Sequence, residues 1–240
     1  MDIILGLDVS TACIGLTLAK EEDGKIDILE VTHFRLKVPS KIKGTEALFH
    51  KSSYFSGVLE TYKDLSRFNL DLHVTKVVIE EPLVSSNNSE TVSTLLRFNG
   101  MISLSVYSIL NVIPEFISSY DARKYAFPEL IAIRKYNKKG DIYPLNKIRH
   151  ALKNSELVLF GGYDWNCAKK EILWNKISEM FPNIHWVYDK KQELKKENFD
   201  ASDSLVCVIG YVRKQIYKDY PKPQVVEYKE EDIGDGRVKI

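Results

Sequence analysis

The chain has 240 residues, of which 44% are apolar and 28% charged, and its formal net charge is +1. That length suits one large domain, or one domain with an insertion, and supplies enough apolar residues for a sizeable core. Near-neutral charge excludes a protein that meets nucleic acid through global positive charge, so any such affinity must be local. No apolar run reaches the ~20 residues that a membrane-spanning helix needs. Cys13, Cys167 and Cys207 are dispersed and form no CxxC pair, so they read as reduced thiols of a cytoplasmic protein. Asp2 follows Met1 with no basic region before the apolar residues, so no secretory signal is expected.

Ile3–Leu7 predicts a strand buried on both faces, and it runs into a single carboxylate, Asp8. A buried carboxylate without a partner costs several kcal/mol, so Asp8 requires either a partner or a cation. Ile14–Ala19 and Ile26–Val38 predict two further strands, joined by short turns into an antiparallel meander. Thr45–Phe68 carries Leu48, Phe55, Val58, Leu59 and Tyr62 at helical spacing. Val74–Pro82 is a short buried strand stopped by Pro82, and SSNNSE offers Asn88 or Ser89 as the cap of a helix to about Leu110. VIPEFISS predicts an edge strand, because it accommodates Pro114.

From Tyr120 to about Asn166 the pattern is basic, aromatic and loop-like. Cys167–Met180 predicts a helix with Ile172, Leu173, Ile177 and Met180 on one side, and IHWVY a short extended segment. Phe199–Tyr217 predicts a helix with Leu205, Val206, Ile209, Val212 and Ile216 as its buried stripe. Three antiparallel strands, then helix–strand–helix–strand, give an α/β fold. Its mixed five-stranded sheet has three antiparallel strands, then two parallel ones, with helices on both faces. The expected organisation is one domain over residues 1–220, with a basic insertion around 128–165, and a tail over 221–240.

In such a sheet the opening strand is central and lies beside the strand ending in VVIEE. Asp8 then comes near Glu80 or Glu81. Asp200 and Asp203 lie three apart at the start of the last helix, on one face and one turn apart, although Asp200 taken alone also reads as an N-cap. Four such carboxylates repel, and without cations at least one would hold a proton. An oxygen-only set suits Mg²⁺ or Mn²⁺ rather than zinc. Two such ions are the usual apparatus for attack of water on a phosphodiester.

Three blocks, GLDVSTACIGLTL, VVIEEPLVSSNNSETVSTLLRFNGMI and DASDSLVCVIGY, together resemble the RuvC-type Holliday junction resolvases of the RNase H-like fold. The resemblance runs in order from Ile3 to about Tyr217 and is weak across Pro128–Trp165. It implies that Asp8, Glu80, Asp200 and Asp203 are the catalytic, metal-binding acids, with two Mg²⁺ per site and Mn²⁺ substituting. Arg123 and Lys124 resemble the basic residues that approach the scissile phosphate, and Lys169 or Lys170 resembles the lysine of the following helix. The resemblance further implies a homodimer that nicks opposed strands of a four-way junction, leaving 5′-phosphate and 3′-hydroxyl ends. Where some members carry an aromatic soon after the glutamate, this chain has Leu83.

Taken singly, each acid has an ordinary reading as a turn, cap or solvated residue, and the joint pattern is what carries weight. Glu81 reads as a solvated neighbour. Asp121–Lys153 holds nine Lys or Arg and three acids, a local charge of +6, interleaved with Tyr125, Phe127, Tyr136 and Tyr143. Beside a phosphodiester site such a run favours phosphate contact and base stacking over a merely solvated face. The five histidines show no ligand spacing, and Trp165, Trp174 and Trp186 read as packing residues. The alternatives are an ATP-binding protein of the actin and sugar-kinase superfamily, a looser branched-DNA or flap nuclease, and a catalytically silent module on the same fold.

Overall fold

The computed structural model describes residues 1–82, 88–132, 158–159 and 168–217. β1 (Asp2–Val9), β2 (Cys13–Glu22) and β3 (Lys25–Arg35) pair antiparallel, and β4 (Lys76–Glu80) and β5 (Glu115–Ile117) continue the sheet in parallel. The order across the sheet is β3-β2-β1-β4-β5, so β1 is central and β5 is an edge, both as expected. A two-stranded ribbon pairs β6 (Ile131–Ala132) with β7 (Val158–Leu159).

The period of two along each strand divides the molecule into two cores. Ile3, Leu5 and Leu7 of β1, Leu16 and Leu18 of β2, and Val77 and Ile79 of β4 meet α1 (Gly44–Glu60) and α2 (Ser89–Leu110). Ile4, Ala19 and Val78 meet α3 (Ser119–Ala126), α4 (Lys169–Met180) and α5 (Glu197–Ile216) on the other face. Burial on both faces explains why β1 reads as an unbroken apolar run. Gly6, Asp8, Gly15, Thr17 and Glu80 fall on the α5 face by the same alternation. A β-carbon on Gly6 would lie 2.7 Å from the carbonyl oxygen of Ser204, and one on Gly15 would collide with the carbonyl of Asp200. These two glycines let α5 rest directly on the sheet.

Several boundaries differ from expectation. The helix expected over Thr45–Phe68 ends at Glu60, and only Ser66–Phe68 resumes as a short 3-10 turn. Tyr62 and Leu65 stay buried beyond the helix end, so the apolar spacing outlasts the helical backbone. Asp64 accepts from the Ser66 amide, and Asn69 adopts a left-handed φ of 57°, which closes the turn. β3 stops at Arg35, because Leu36 turns inward and donates its amide to the Ala12 carbonyl. Ser119–Ala126 is a helix where a loop was expected; Ser118 Oγ caps it by accepting from the Asp121 amide. IHWVY forms no strand, only an isolated bridge from Tyr188 to Leu194. Asn88, not Ser89, caps α2, accepting from Glu90 and Thr91. The greater part of the basic insertion, Leu83, Cys167, Trp165 and the 221–240 tail lie outside the described residues.

Among the described residues, no helix is long and apolar enough to cross a membrane.

Candidate active site

β1 and β4 run parallel with Leu7 opposite Ile79, so the next residue of each strand, Asp8 and Glu80, arrives at the same rim. Both fall on the α5 face by alternation. Asp8 also pairs with Gly15 across the β1–β2 ladder, and Gly15 is where the Asp200 backbone touches the sheet. α5 begins at Glu197, so Asp200 is not its N-cap but stands inside the helix, with Asp203 one turn on and Cys207 a turn beyond that. The buried Thr17 Oγ1–Ser204 Oγ hydrogen bond, 2.8 Å, fixes the helix to β2 next to Asp203. Three separated segments thus bring Asp8, Glu80, Asp200 and Asp203 together, while Glu81 is exposed and only its amide bonds inward, to the Ile117 carbonyl.

At this separation the acids act on one another. Burial holds the Asp8 carboxyl well above the usual carboxylate range, and the charges of Glu80, Asp203 and Asp200 push it further, against Lys170. Glu80 is pushed up to about 7 by burial and then by Asp203; Arg123, Lys170 and a hydrogen bond from Cys207 oppose the shift. Burial also raises Asp200, with Lys170 pulling the other way. Asp203, whose side chain is only 7% exposed, is spanned by two cations: Arg123 at 3.4 Å and Lys170 at 3.5 Å. Lys170 reaches Asp200 as well, at 3.8 Å. The described contacts of Lys124 are with Asp121 and the rings of Tyr120 and Tyr125. Among the described residues, no group of three or more His, Cys, Asp or Glu side chains is arranged to hold a metal ion as it stands.

Two thiols and one imidazole join this cluster without having been assigned a role from sequence. Cys207 Sγ donates to Glu80 Oε2 at 3.8 Å. Burial, and then the neighbouring Asp200, push the Cys13 thiol up to about 12. His33, opposite Gly15 on β3, feels Glu197 and Asp200 and is held below its ordinary value by burial. The signals were present: Cys13 shares the strand face of Gly15, and Cys207 follows Asp203 by four residues. Neither signal separates a site neighbour from an ordinary core thiol. Trp174 and Trp186 pack edge to face at 6.0 Å, as packing residues do.

Sheet order, helices on both faces and the placement of the central strand define an RNase H-like α/β fold. Among solved structures, the chain is similar to Thermus thermophilus RuvC in complex with a Holliday junction substrate. The TM-score is 0.52 at 10% identity, covering 91% of this chain and 97% of that one. It is also similar to T. thermophilus RuvC alone (TM-score 0.47, 13% identity, 89% and 95% covered). A third similarity is to the yeast mitochondrial Holliday junction resolvase Ydc2 (TM-score 0.49, 14% identity, 90% and 79% covered). No family model matches the sequence, and no curated protein matches it.

Proposed function

We propose that the chain is a divalent-metal-dependent endonuclease that cuts branched DNA, four-way junctions above all, acting as a homodimer. The observation that supports this most is the meeting of Asp8, Glu80, Asp200 and Asp203, from three separated segments, at one rim of an RNase H-like sheet. The donor set suits hard divalent ions. It is made of carboxylate oxygens alone, and burial and mutual repulsion raise Asp8 and Glu80, a cost that bound cations would offset. Asp8, Glu80, Asp200 and Asp203 would hold two Mg²⁺, with Mn²⁺ substituting, and the ions would supply Lewis-acid activation of the phosphodiester and of the attacking water.

The chain's own residues then have distinct tasks. Asp8, on the central strand, fixes the site against the sheet. Asp200 and Asp203 are carried by α5, whose seat on Gly6 and Gly15 sets their distance from Asp8. Arg123 and Lys170 exchange their carboxylate partners for the DNA phosphate once the acids hold cations, and Lys124 and Lys169 add to that positive bank. T. thermophilus RuvC was solved with a Holliday junction substrate, and a two-fold dimer suits a two-fold junction.

The test is cleavage of four-way, three-way, flap and linear duplex DNA with Mg²⁺ or Mn²⁺. Paired nicks in the four-way junction are expected. Equal cutting of flaps and three-way forms would instead favour the looser branched-DNA nuclease, and tight ATP binding with no cleavage the actin and sugar-kinase alternative.

A further inference from the structure

The register places His33 of β3, Gly15 of β2, Asp8 of β1, Glu80 of β4 and Ile117 of β5 in one row across the sheet. The acids occupy the middle of that rim, and both outer strands end at it. Beyond β5 the chain enters α3, which carries Arg123 and Lys124. Beyond β3 it enters residues 35–43, RLKVPSKIK, which hold four cations and no acid. Nothing in the resemblance gives that second flank a task.

The segment is built as a ledge. Leu36 is buried, and its amide donates to the Ala12 carbonyl at 2.9 Å, tying the segment to the β1–β2 turn just past Asp8. Lys51 of α1 braces the same turn by donating to the Thr11 carbonyl at 2.6 Å. A second turn, from the Ile42 amide to the Pro39 carbonyl at 2.9 Å, shapes the far end. Arg35 is held by Glu197 at 2.7 Å. Lys37, Lys41 and Lys43 are exposed, and among the described residues none of the three makes an ion pair. The next acid along the chain, Glu46, is turned to His50 at 3.9 Å.

Lysines that are fixed at their backbone, unpaired, and set beside a site for a polyanion have one chemistry to offer: neutralising phosphates. β1 and β3 are two strand spacings apart, about 10 Å. At 3.4 Å per nucleotide step that is about three nucleotides along a strand. We propose that Lys37, Lys41 and Lys43 form a second phosphate-binding surface, gripping a DNA arm about three or more nucleotides from the cut linkage, on the flank opposite Arg123. The inference rests on the nuclease reading and extends it, since it assigns the enzyme two cationic banks with the acids between them.

The experiment measures binding of a four-way junction to the full chain by fluorescence anisotropy, in EDTA, across a salt series. The combined variant Lys37→Ala, Lys41→Ala, Lys43→Ala should weaken binding on the order of ten- to a hundredfold. It should also flatten the salt dependence by about 0.9 in log–log slope for each lysine removed. The matching Lys→Arg triple should keep both affinity and slope. A control pair at the far end of the same sheet, Lys20→Ala and Lys25→Ala, should change neither. Neutral methylphosphonates three or more nucleotides from the cut should weaken the unaltered chain and leave the alanine triple indifferent. An alanine triple with the parent's affinity and slope overturns the second bank while leaving the nuclease reading intact. Failure of the unaltered chain to bind any DNA removes both.

Discussion

The carbonyl of Asp200 lies against Gly15 in the space that a β-carbon would fill. Gly15 is also the ladder partner of Asp8, so one absent side chain sets how near the acids of α5 come to the acid of β1. Gly15→Ala must lift the first turns of α5 and strain the Thr17–Ser204 bond beside it. The expected loss of stability is about 1–3 kcal/mol, read as a lower urea midpoint at unchanged slope. Mn²⁺ affinity should fall in the same protein. Parental stability together with parental Mn²⁺ affinity would show that the contact does not govern the site.

Burial and the neighbouring Asp203 push the Glu80 carboxyl up to about 7 in the fold, from an ordinary value of 4.5. A raised acid resists ionisation in the folded state. Metal-free protein should therefore lose stability as pH climbs from about 4.5 through about 7, and Asp8, shifted the same way, adds to that loss. Glu80→Gln should leave the thermal midpoint nearly unchanged at pH 4 and raise it at pH 8. Mg²⁺ should act in the opposite sense, stabilising the parent more at pH 8 than at pH 6, because protons and cations compete for the same oxygens. Melting curves from pH 4 to 9, with EDTA and with Mg²⁺, decide this; a midpoint in Glu80→Gln that tracks the parent throughout would refute it.

The five strands and the rim they share were legible because each strand has a strong local signal. β1 is apolar throughout, β4 is an apolar triplet closed by acids, and β2 and β3 follow short turns. Strand order alone brought Asp8 near Glu80 or Glu81, and only the resemblance chose Glu80; the register and the alternation along β4 put Glu80 on the α5 face. Other parts were not legible. α3 has mean polarity too high for an apolar stripe and buries only two alanines, Ala122 and Ala126, so it reads as loop. Residues 61–68 keep buried Tyr62 and Leu65 after the helix has ended, so periodicity overran the backbone. The choice of Lys170 as the lysine in contact with both helix acids depends on the rotation of α4 about its axis, which two adjacent lysines cannot reveal.

Asp8 is the acid with charged neighbours on both sides: Glu80 from β4, and Asp200 and Asp203 from α5. Asp8→Asn keeps the shape and removes the charge at the middle of the proposed metal site. Cleavage should fall by at least roughly 10³-fold, the scale seen when a group that acts in the transition state is lost. Junction binding in EDTA should hold or tighten, since a repulsive charge has gone. Calorimetry should show weaker Mn²⁺ binding in the same variant. Cutting at the parental rate with Mg²⁺ would remove Asp8 from the site.

Arg123 has two tasks on this reading, and they separate by experiment. In the metal-free chain its guanidinium is one of two cations on the buried Asp203, the other being Lys170, whose side chain is 54% exposed. Arg123→Ala leaves Asp203 largely dependent on that half-solvated lysine, at a cost of about 1–3 kcal/mol. Mn²⁺ at a hundred times its dissociation constant contributes about 2.7 kcal/mol by mass action, enough to restore most of the loss. Cleavage should stay depressed even when stability is restored, because no guanidinium is left to meet the phosphate. A variant whose stability and cleavage both return with Mn²⁺ would make Arg123 a structural partner of Asp203 alone. A variant that Mn²⁺ cannot stabilise would take Asp203 out of the ligand set.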